Sequence, residues 1–287
     1  MASFFPDFGE HSLLVTVLII CAIVATILII LPKPQLTEGF QQNERYLLGQ
    51  PYDEFYADHY DIIQDTETRC KTEFTAMLPY LDNQNTKVLD IGCGTGCMLN
   101  LLEQAEIPCI GIDKSPNMTK HCSSSNVITG DVLNPMQFDA GEFTHILCLN
   151  HTIYEISDPN KLMSLCKVWL KADGILVLHV IDKDRFNMVA PCGATPLITN
   201  PQDHVKQRIR KSQINFVDYL YESDYKTDNM VIETFTDGTT GNTRQYEKNI
   251  NLDINVQQIA SKNGFKLLEK KPLPNDKYQW LYFYRVT

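Results

Sequence analysis

The chain has 287 residues, of which 44% are apolar and 21% charged, enough to bury a large core and too hydrophobic for general disorder. Its net charge of −10 and isoelectric point near 5.1 leave little basic surface for a phosphate backbone, so no nucleic-acid partner is expected. Nine cysteines, an odd number without a CxxC pair, read as free thiols in a reducing compartment and give no zinc-ligand spacing.

In chain order, residues 1–12 form a short tail, and residues 13–31 (LLVTVLIICAIVATILIIL) follow without a charge. Nineteen residues rise roughly 28 Å as a helix, close to the ~30 Å hydrocarbon thickness of a bilayer. Pro32 and Pro34 stop the run. A cleaved signal peptide would carry a basic leader, a shorter apolar stretch and a small-residue cleavage site. Here Asp7 and Glu10 precede a longer run. A buried soluble helix is the weaker third reading, so one uncleaved transmembrane helix is expected. Lys33 and Arg45 beyond it weakly place the remaining chain in the cytoplasm. The sequons at Asn117 and Asn150 fall on what is read below as the active face, which agrees with that side. Residues 32–45 read as a polar linker, and residues 46–287 as one domain.

The domain alternates strand and helix. Helical spacing over 53–81 puts Phe55, Ile62, Ile63, Phe74, Met77 and Leu78 in the core. Strands are predicted at 87–91, 109–113, 126–131, 143–149 and 175–180, with helices at 98–105, 116–122 and 159–170 between them. Short apolar runs separated by helices predict a parallel sheet covered on both faces. After residue 200 the pattern turns to alternating strands at 214–223, 230–236 and 243–252. A helix at 256–263, closed by Gly264, and strands at 266–271 and 279–286 complete the chain.

The chemistry starts at Asp90-x-Gly92-x-Gly94-x-Gly96, between a strand and a helix. Glycines let the backbone approach a ligand closely, and the helix start offers free N–H groups. A dinucleotide fingerprint would need a third glycine at position 97, which is Cys97. Asp90 beside the loop suits a ligand bearing an ammonium group better than a pyrophosphate. Asp113, ending the next strand, can accept from both hydroxyls of a ribose. Asp131 follows the third strand, where an adenine amino group would lie.

These pieces resemble the class I S-adenosylmethionine-dependent methyltransferases, specifically the small-molecule branch. The matching segments are VLDIGCGTG at 88–96, IGID at 110–113, GD at 130–131, FTHILCLNHTIYEI at 143–156 and LKADGILVLHV at 170–180, with YDEFYADHYD at 52–61. The resemblance covers roughly residues 46–286. It implies an α/β fold with a doubly wound, mostly parallel seven-stranded sheet of order 3-2-1-4-5-7-6. Its seventh strand would be antiparallel, and extra antiparallel strands would follow the fifth. It implies that Asp90, Gly92, Gly94 and Gly96 hold the methionine portion of the cofactor, Asp113 the ribose, and Asp131 with Val132 the adenine. Asn150 would line the transfer pocket.

The remaining candidates stay open on sequence alone. Tyr52, Tyr56 and Tyr60 share one helical face and read either as packing or as a lid over the cofactor. Arg69 reads as a partner for the cofactor carboxylate or as a surface ion pair. His151 and Tyr154 follow the fourth strand, where either could take a proton from the acceptor or merely orient it. His145 and His179, inside apolar strands, read as satisfied core histidines. No metal site is evident. The expected function is membrane-anchored methyl transfer from S-adenosylmethionine to a small or lipid-like acceptor. The alternatives are a methyltransferase acting on a membrane-associated protein and a non-catalytic scaffold of the same fold.

Overall fold

A computed structural model describes residues 44–46, 52–81, 85–193, 200–274 and 276–287. The tail, the expected transmembrane helix at 13–31 and most of the linker lie outside these residues. Among the described residues no helix is long and apolar enough to cross a membrane. The described strands are β1 (Glu44–Tyr46), β2 (Val88–Ile91), β3 (Cys109–Asp113), β4 (Val127–Thr129), β5 (Phe143–Cys148), β6 (Leu170–Ile181), β7 (Lys211–Asn215), β8 (Tyr219–Thr227), β9 (Met230–Asp237), β10 (Thr243–Asn249), β11 (Phe265–Leu273) and β12 (Asp276–Val286). The helices are α1 (Glu54–Ile63), α2 (Thr66–Met77), α3 (Cys97–Gln104), α4 (Pro116–Lys120), α5 (Thr152–Glu155), α6 (Pro159–Trp169) and α7 (Val256–Lys262).

Seven strands form the main sheet in the order β4-β3-β2-β5-β6-β12-β11. All neighbours are parallel except β12, which runs antiparallel to both β6 and β11. Counted from β2, this is the expected 3-2-1-4-5-7-6 order with its seventh strand reversed. Successive side chains feed opposite layers. Leu89, Ile91, Ile146 and Leu176 pack into one apolar cluster, while Val88, Leu147 and Val177 pack into the other. Because both faces are buried, the strands read as continuous apolar runs.

Register decides where the site forms. Ile91 lies opposite Ile112 on one side and Cys148 on the other, and Asp113 lies opposite Thr129. The carboxyl ends of β2, β3, β4 and β5 therefore share one edge. The strand order reverses at β2, which opens a crevice at that edge.

A second sheet, β1-β10-β9-β8-β7, is antiparallel apart from the β1–β10 pair. The predicted strand 214–223 is two strands, β7 and β8, because residues 216–218 make the turn. Alternate residues of β8, β9 and β10 are buried. Their inner face carries Tyr219, Tyr221, Phe235 and Tyr246, and it packs on Phe55, Tyr56 and Ile63 of α1.

The helical span predicted at 53–81 is broken. Asp65 adopts φ 42°, and α1 and α2 are separate helices. Asp53 caps α1 by accepting the Tyr56 N–H at 2.8 Å. The break turns α2 under the glycine loop. There Cys70 and Cys97 are joined as a disulfide with Cα atoms 6.3 Å apart, which corrects the expectation of free thiols at these two positions. Sequence spacing gave no sign of this pair, because only the tertiary turn brings α2 against the start of α3.

Candidate active site

The glycine loop lies at the crevice. Gly92, Gly94 and Gly96 all have positive φ, 67°, 57° and 83°. A Cβ on Gly92 would stand 2.5 Å from Thr152 Cγ2, and one on Gly96 would stand 2.1 Å from Cys122 Sγ. Gly96 thus serves packing against the end of α4, whereas Gly92 and Gly94 line the cavity. The cavity has a volume of about 420 Å³ and is also lined by Tyr52, Tyr60, Asp113, Asp131, Val132, Asn150, His151 and Tyr154.

Asp113 is half-buried against the loop. Its Oδ2 accepts the Gly94 N–H at 2.9 Å and its Oδ1 accepts the Ser115 N–H at 2.8 Å. Ser115, not Asp113, caps α4, accepting from the Met118 N–H. Burial raises the Asp113 carboxyl above its ordinary value, and the backbone N–H groups oppose that shift. Asp131 sits two residues past β4 and remains half exposed. It accepts the Leu133 N–H at 2.9 Å and stands 3.5 Å from Lys114 Nζ. It is both a turn former and a cavity residue.

Asp90 lies behind the loop in a small adjoining recess, together with Arg69, Glu73, Gly92 and Asn150. Only 4% of it is exposed, and no hydrogen bond to its carboxyl exists among the described residues. Burial, then the neighbouring Glu73, pushes it up to about 8 despite Arg69. Arg69 pairs with the fully buried Glu73 at 3.1 Å but leaves its own Nε without a partner among the described residues. The buried Asp90 carboxyl and an unsatisfied guanidinium nitrogen therefore flank the same recess. That arrangement fits a zwitterionic amino-acid end.

The three tyrosines of α1 divide. Tyr60 accepts the Asn150 Nδ2 bond at 3.0 Å, and Tyr52 donates to Glu155 at 3.0 Å, so both face the cavity. Tyr56 turns into the second sheet, where its hydroxyl and that of Tyr221 donate to Glu233, each at 2.7 Å. Lys248 pairs with Glu233 at 2.8 Å and also contacts Tyr56. Tyr52 and Tyr60 therefore line the cavity, while Tyr56 packs into the second sheet.

Beyond the glycine loop, Asn150 and His151 both have positive φ, 43° and 65°, a strained turn that carries them off the end of β5. Tyr154 is buried, and its hydroxyl oxygen accepts the Ile181 N–H at 3.0 Å. His151 stacks at a tilt on His179, with ring centroids 4.6 Å apart. Both rings reach one acceptor, Gln279 Oε1, at 3.2 and 2.8 Å. His179 is thus a cavity residue, which corrects its reading as a satisfied core histidine. Its Nδ1 has no hydrogen-bond partner among the described residues. Gln279, Asp276, Glu73 and Lys248 were not singled out in the sequence. A glutamine inside the otherwise hydrophobic run Tyr278 to Tyr284 is the one local sign that was available.

Elsewhere, Glu54, Asp58 and His121 bring ligand-type atoms within 4.8 Å of one another. Lys120 occupies Glu54 at 2.7 Å and His121 approaches Asp58 at 3.4 Å, as in an ordinary surface ion-pair cluster.

Comparison with known proteins agrees with this geometry. A family model described as a methyltransferase domain matches residues 57–224. The ubiquinone biosynthesis O-methyltransferase of Haemophilus ducreyi (strain 35000HP / ATCC 700724) is 30% identical over 125 residues, which is 39% of this chain and 52% of that protein. The chain spans about half the length of the curated relatives it matches. Among solved structures, an S-adenosylmethionine-dependent methyltransferase from Clostridium acetobutylicum ATCC 824 superposes with a TM-score of 0.56 at 14% identity, covering 80% of this chain and 97% of that one. The amino pentose methyltransferase of Micromonospora echinaspora, solved with its S-adenosylmethionine bound, gives 0.52 at 15% identity, covering 82% and 98%. At such identities the likeness concerns the fold. Fold and site together define the class of Rossmann-like methyltransferases that use S-adenosylmethionine. The chain belongs to the methyltransferase domain family.

Proposed function

We propose that the chain transfers a methyl group from S-adenosylmethionine to the oxygen of a small or lipid-like hydroxyl compound, and that residues 13–31 hold it at a membrane with the catalytic unit on the cytoplasmic side. The observation that carries the reaction is the shared cavity. The glycine loop and Asp113 line it together with the neutral imidazole of His151 and the apolar side chains of Phe186, Met188, Ile250 and Leu252. The second sheet contributes Tyr221, Glu233 and Lys248 to the same cavity, and this covering favours a small acceptor over a protein side chain. The name of the curated relative supports oxygen as the accepting atom. The cofactor-binding acids and glycines are all present, which favours an enzyme over a scaffold.

In this reading Arg69 and Asp90 hold the carboxylate and ammonium of the cofactor, Asp113 its ribose, and Asp131 with Val132 its adenine. Tyr52, Tyr60 and Asn150 enclose the reacting centre. The bound cofactor supplies a methyl carbon made electrophilic by its sulfonium. His151 would take the proton of the acceptor hydroxyl as its oxygen attacks that carbon, the donor leaving as a neutral thioether. Burial holds the His151 imidazole down to about 4, so it is in its base form throughout the neutral range. Tyr154 is the poorer base, because burial raises its hydroxyl and its oxygen is engaged by β6.

Asp90 makes cofactor affinity pH-dependent. The folded acid, near 8, stands above its unfolded value of about 4. Through that window the folded chain keeps a proton the unfolded chain has released, so rising pH costs stability. A bound ammonium favours the carboxylate instead. Uptake at pH 7 should therefore release a proton, and affinity should rise by up to about tenfold per pH unit toward 8. His151 and His179, both held low by burial, stay neutral in this range. Calorimetry in two buffers of different ionisation enthalpy checks this, and Asp90→Asn should abolish the release.

The proposal as a whole is tested with the full chain expressed in cells and supplied with methyl-labelled donor. The protein should remain in membranes after alkaline washing, with its C-terminal unit open to protease from the cytoplasmic side. Label should enter a lipid or metabolite fraction. Label confined to protein would sink the acceptor reading, and release of the chain by alkali would sink the anchor.

A further inference from the structure

The hydrogen bonds around Gln279 fix more than its own position. Asp276 is buried, and among the described residues four donors reach its carboxylate. The Asn187 N–H arrives at 2.6 Å, the Tyr278 N–H at 3.1 Å and Asn200 Nδ2 at 3.2 Å. Gln279 Nε2 donates to it as well, at 2.9 Å. A flipped amide would set the Gln279 oxygen against this carboxylate, so the carboxylate dictates the orientation of the amide. Gln279 Oε1 is then left to face both rings, His151 Nε2 at 3.2 Å and His179 Nε2 at 2.8 Å. An amide oxygen only accepts, so both nitrogens must carry hydrogen.

We infer that Gln279, oriented by Asp276, is a positioning residue that fixes His151 and His179 as Nε2–H tautomers and leaves His151 Nδ1 as the basic nitrogen facing the methyl-transfer chemistry. This rests on His151 being the base of the proposed function. The geometry suits the role. His151 lines the cavity, and no hydrogen bond to its Nδ1 exists among the described residues. The device also works against a competitor. Glu73 Oε1 lies 3.7 Å from His179 Nδ1 and would favour a proton there. Gln279 holds the His179 proton on the opposite nitrogen. The His179 ring, packed on His151, then presents a fixed face to the base.

Nitrogen-15 histidine spectra of the full chain in detergent test this without any acceptor, with assignments made by difference against His151→Gln and His179→Gln. Both rings should show the Nε2–H tautomer, with Nε2 protons protected from solvent exchange. In Gln279→Leu, His179 should switch to Nδ1–H, drawn by Glu73, and His151 should lose its exchange protection. Gln279→Glu can donate to Asp276 as a neutral acid and accept from both rings through its carbonyl, so it should restore the wild-type pattern below the pKa of that acid. A cofactor-induced thermal shift equal to that of the wild type would show that each variant is folded. An Nδ1–H tautomer on either ring of the wild type, or unchanged tautomers and exchange in folded Gln279→Leu, would overturn the inference. Neither result touches the base assignment, which is tested separately by the rate of His151→Ala.

Discussion

Replacing Asp113 with alanine should weaken S-adenosylmethionine binding by about 10²–10⁴-fold. A ribose diol offers two hydroxyls to this carboxylate, and each charge-assisted bond is worth about 1.5–3 kcal/mol. Together they amount to roughly 3–6 kcal/mol, at about 1.4 kcal/mol per tenfold change in affinity. The carboxylate also accepts the Gly94 and Ser115 N–H groups, so its loss loosens the turn that receives the ligand. Asp113→Asn should fall between the two, since one acceptor oxygen survives while the charge is lost. Titration calorimetry on protein shown to be folded by circular dichroism is the check. An unchanged dissociation constant for the alanine variant would remove Asp113 from the cofactor site.

The second large effect belongs to His151. His151→Ala should lower kcat by about 10²–10⁴-fold, the usual contribution of a positioned general base, while cofactor affinity stays near that of the wild type. The pH profile gives an independent sign. With the imidazole held near 4, the wild-type kcat at saturating donor should be flat on its acid side down to about pH 5. The variant has lost its internal base and should speed up with pH as the acceptor hydroxyl ionises by itself. A variant that turns over at the wild-type rate at pH 7 would reduce His151 to a lining residue. Single-turnover measurements with labelled donor separate this chemical step from product release.

That the glycine loop and its following acids gather at one crevice was legible in the sequence for a physical reason. Asp90, Gly92 and Gly94 sit within five residues, and their backbone requirements are local. Asp113 and Asp131 follow strands whose apolar runs are themselves readable. Once the strands are parallel and in register, these loops must gather at one edge. Gly96 belongs to the same motif, and its missing Cβ makes room for Cys122. The periodicity of α1 placed three tyrosines on one face. It could not say that Tyr56 would turn toward Glu233 while Tyr52 and Tyr60 faced the cavity, because that choice depends on which sheet packs above the helix.

The sequence by itself determined the alternation of strand and helix, the glycine loop with its following acids, and hence the family and its cofactor. It also carries the apolar run at 13–31 on which the membrane proposal rests. Only the tertiary structure decided the histidine cluster that lines the cavity. His151, His179 and Gln279 are separated by up to 128 residues and meet because β12 runs antiparallel to β6, with Leu281 opposite His179. Local patterning encodes elements and short motifs. A hydrogen bond between two histidines and a distant glutamine is set by strand register and layer packing, which no single segment of the chain carries.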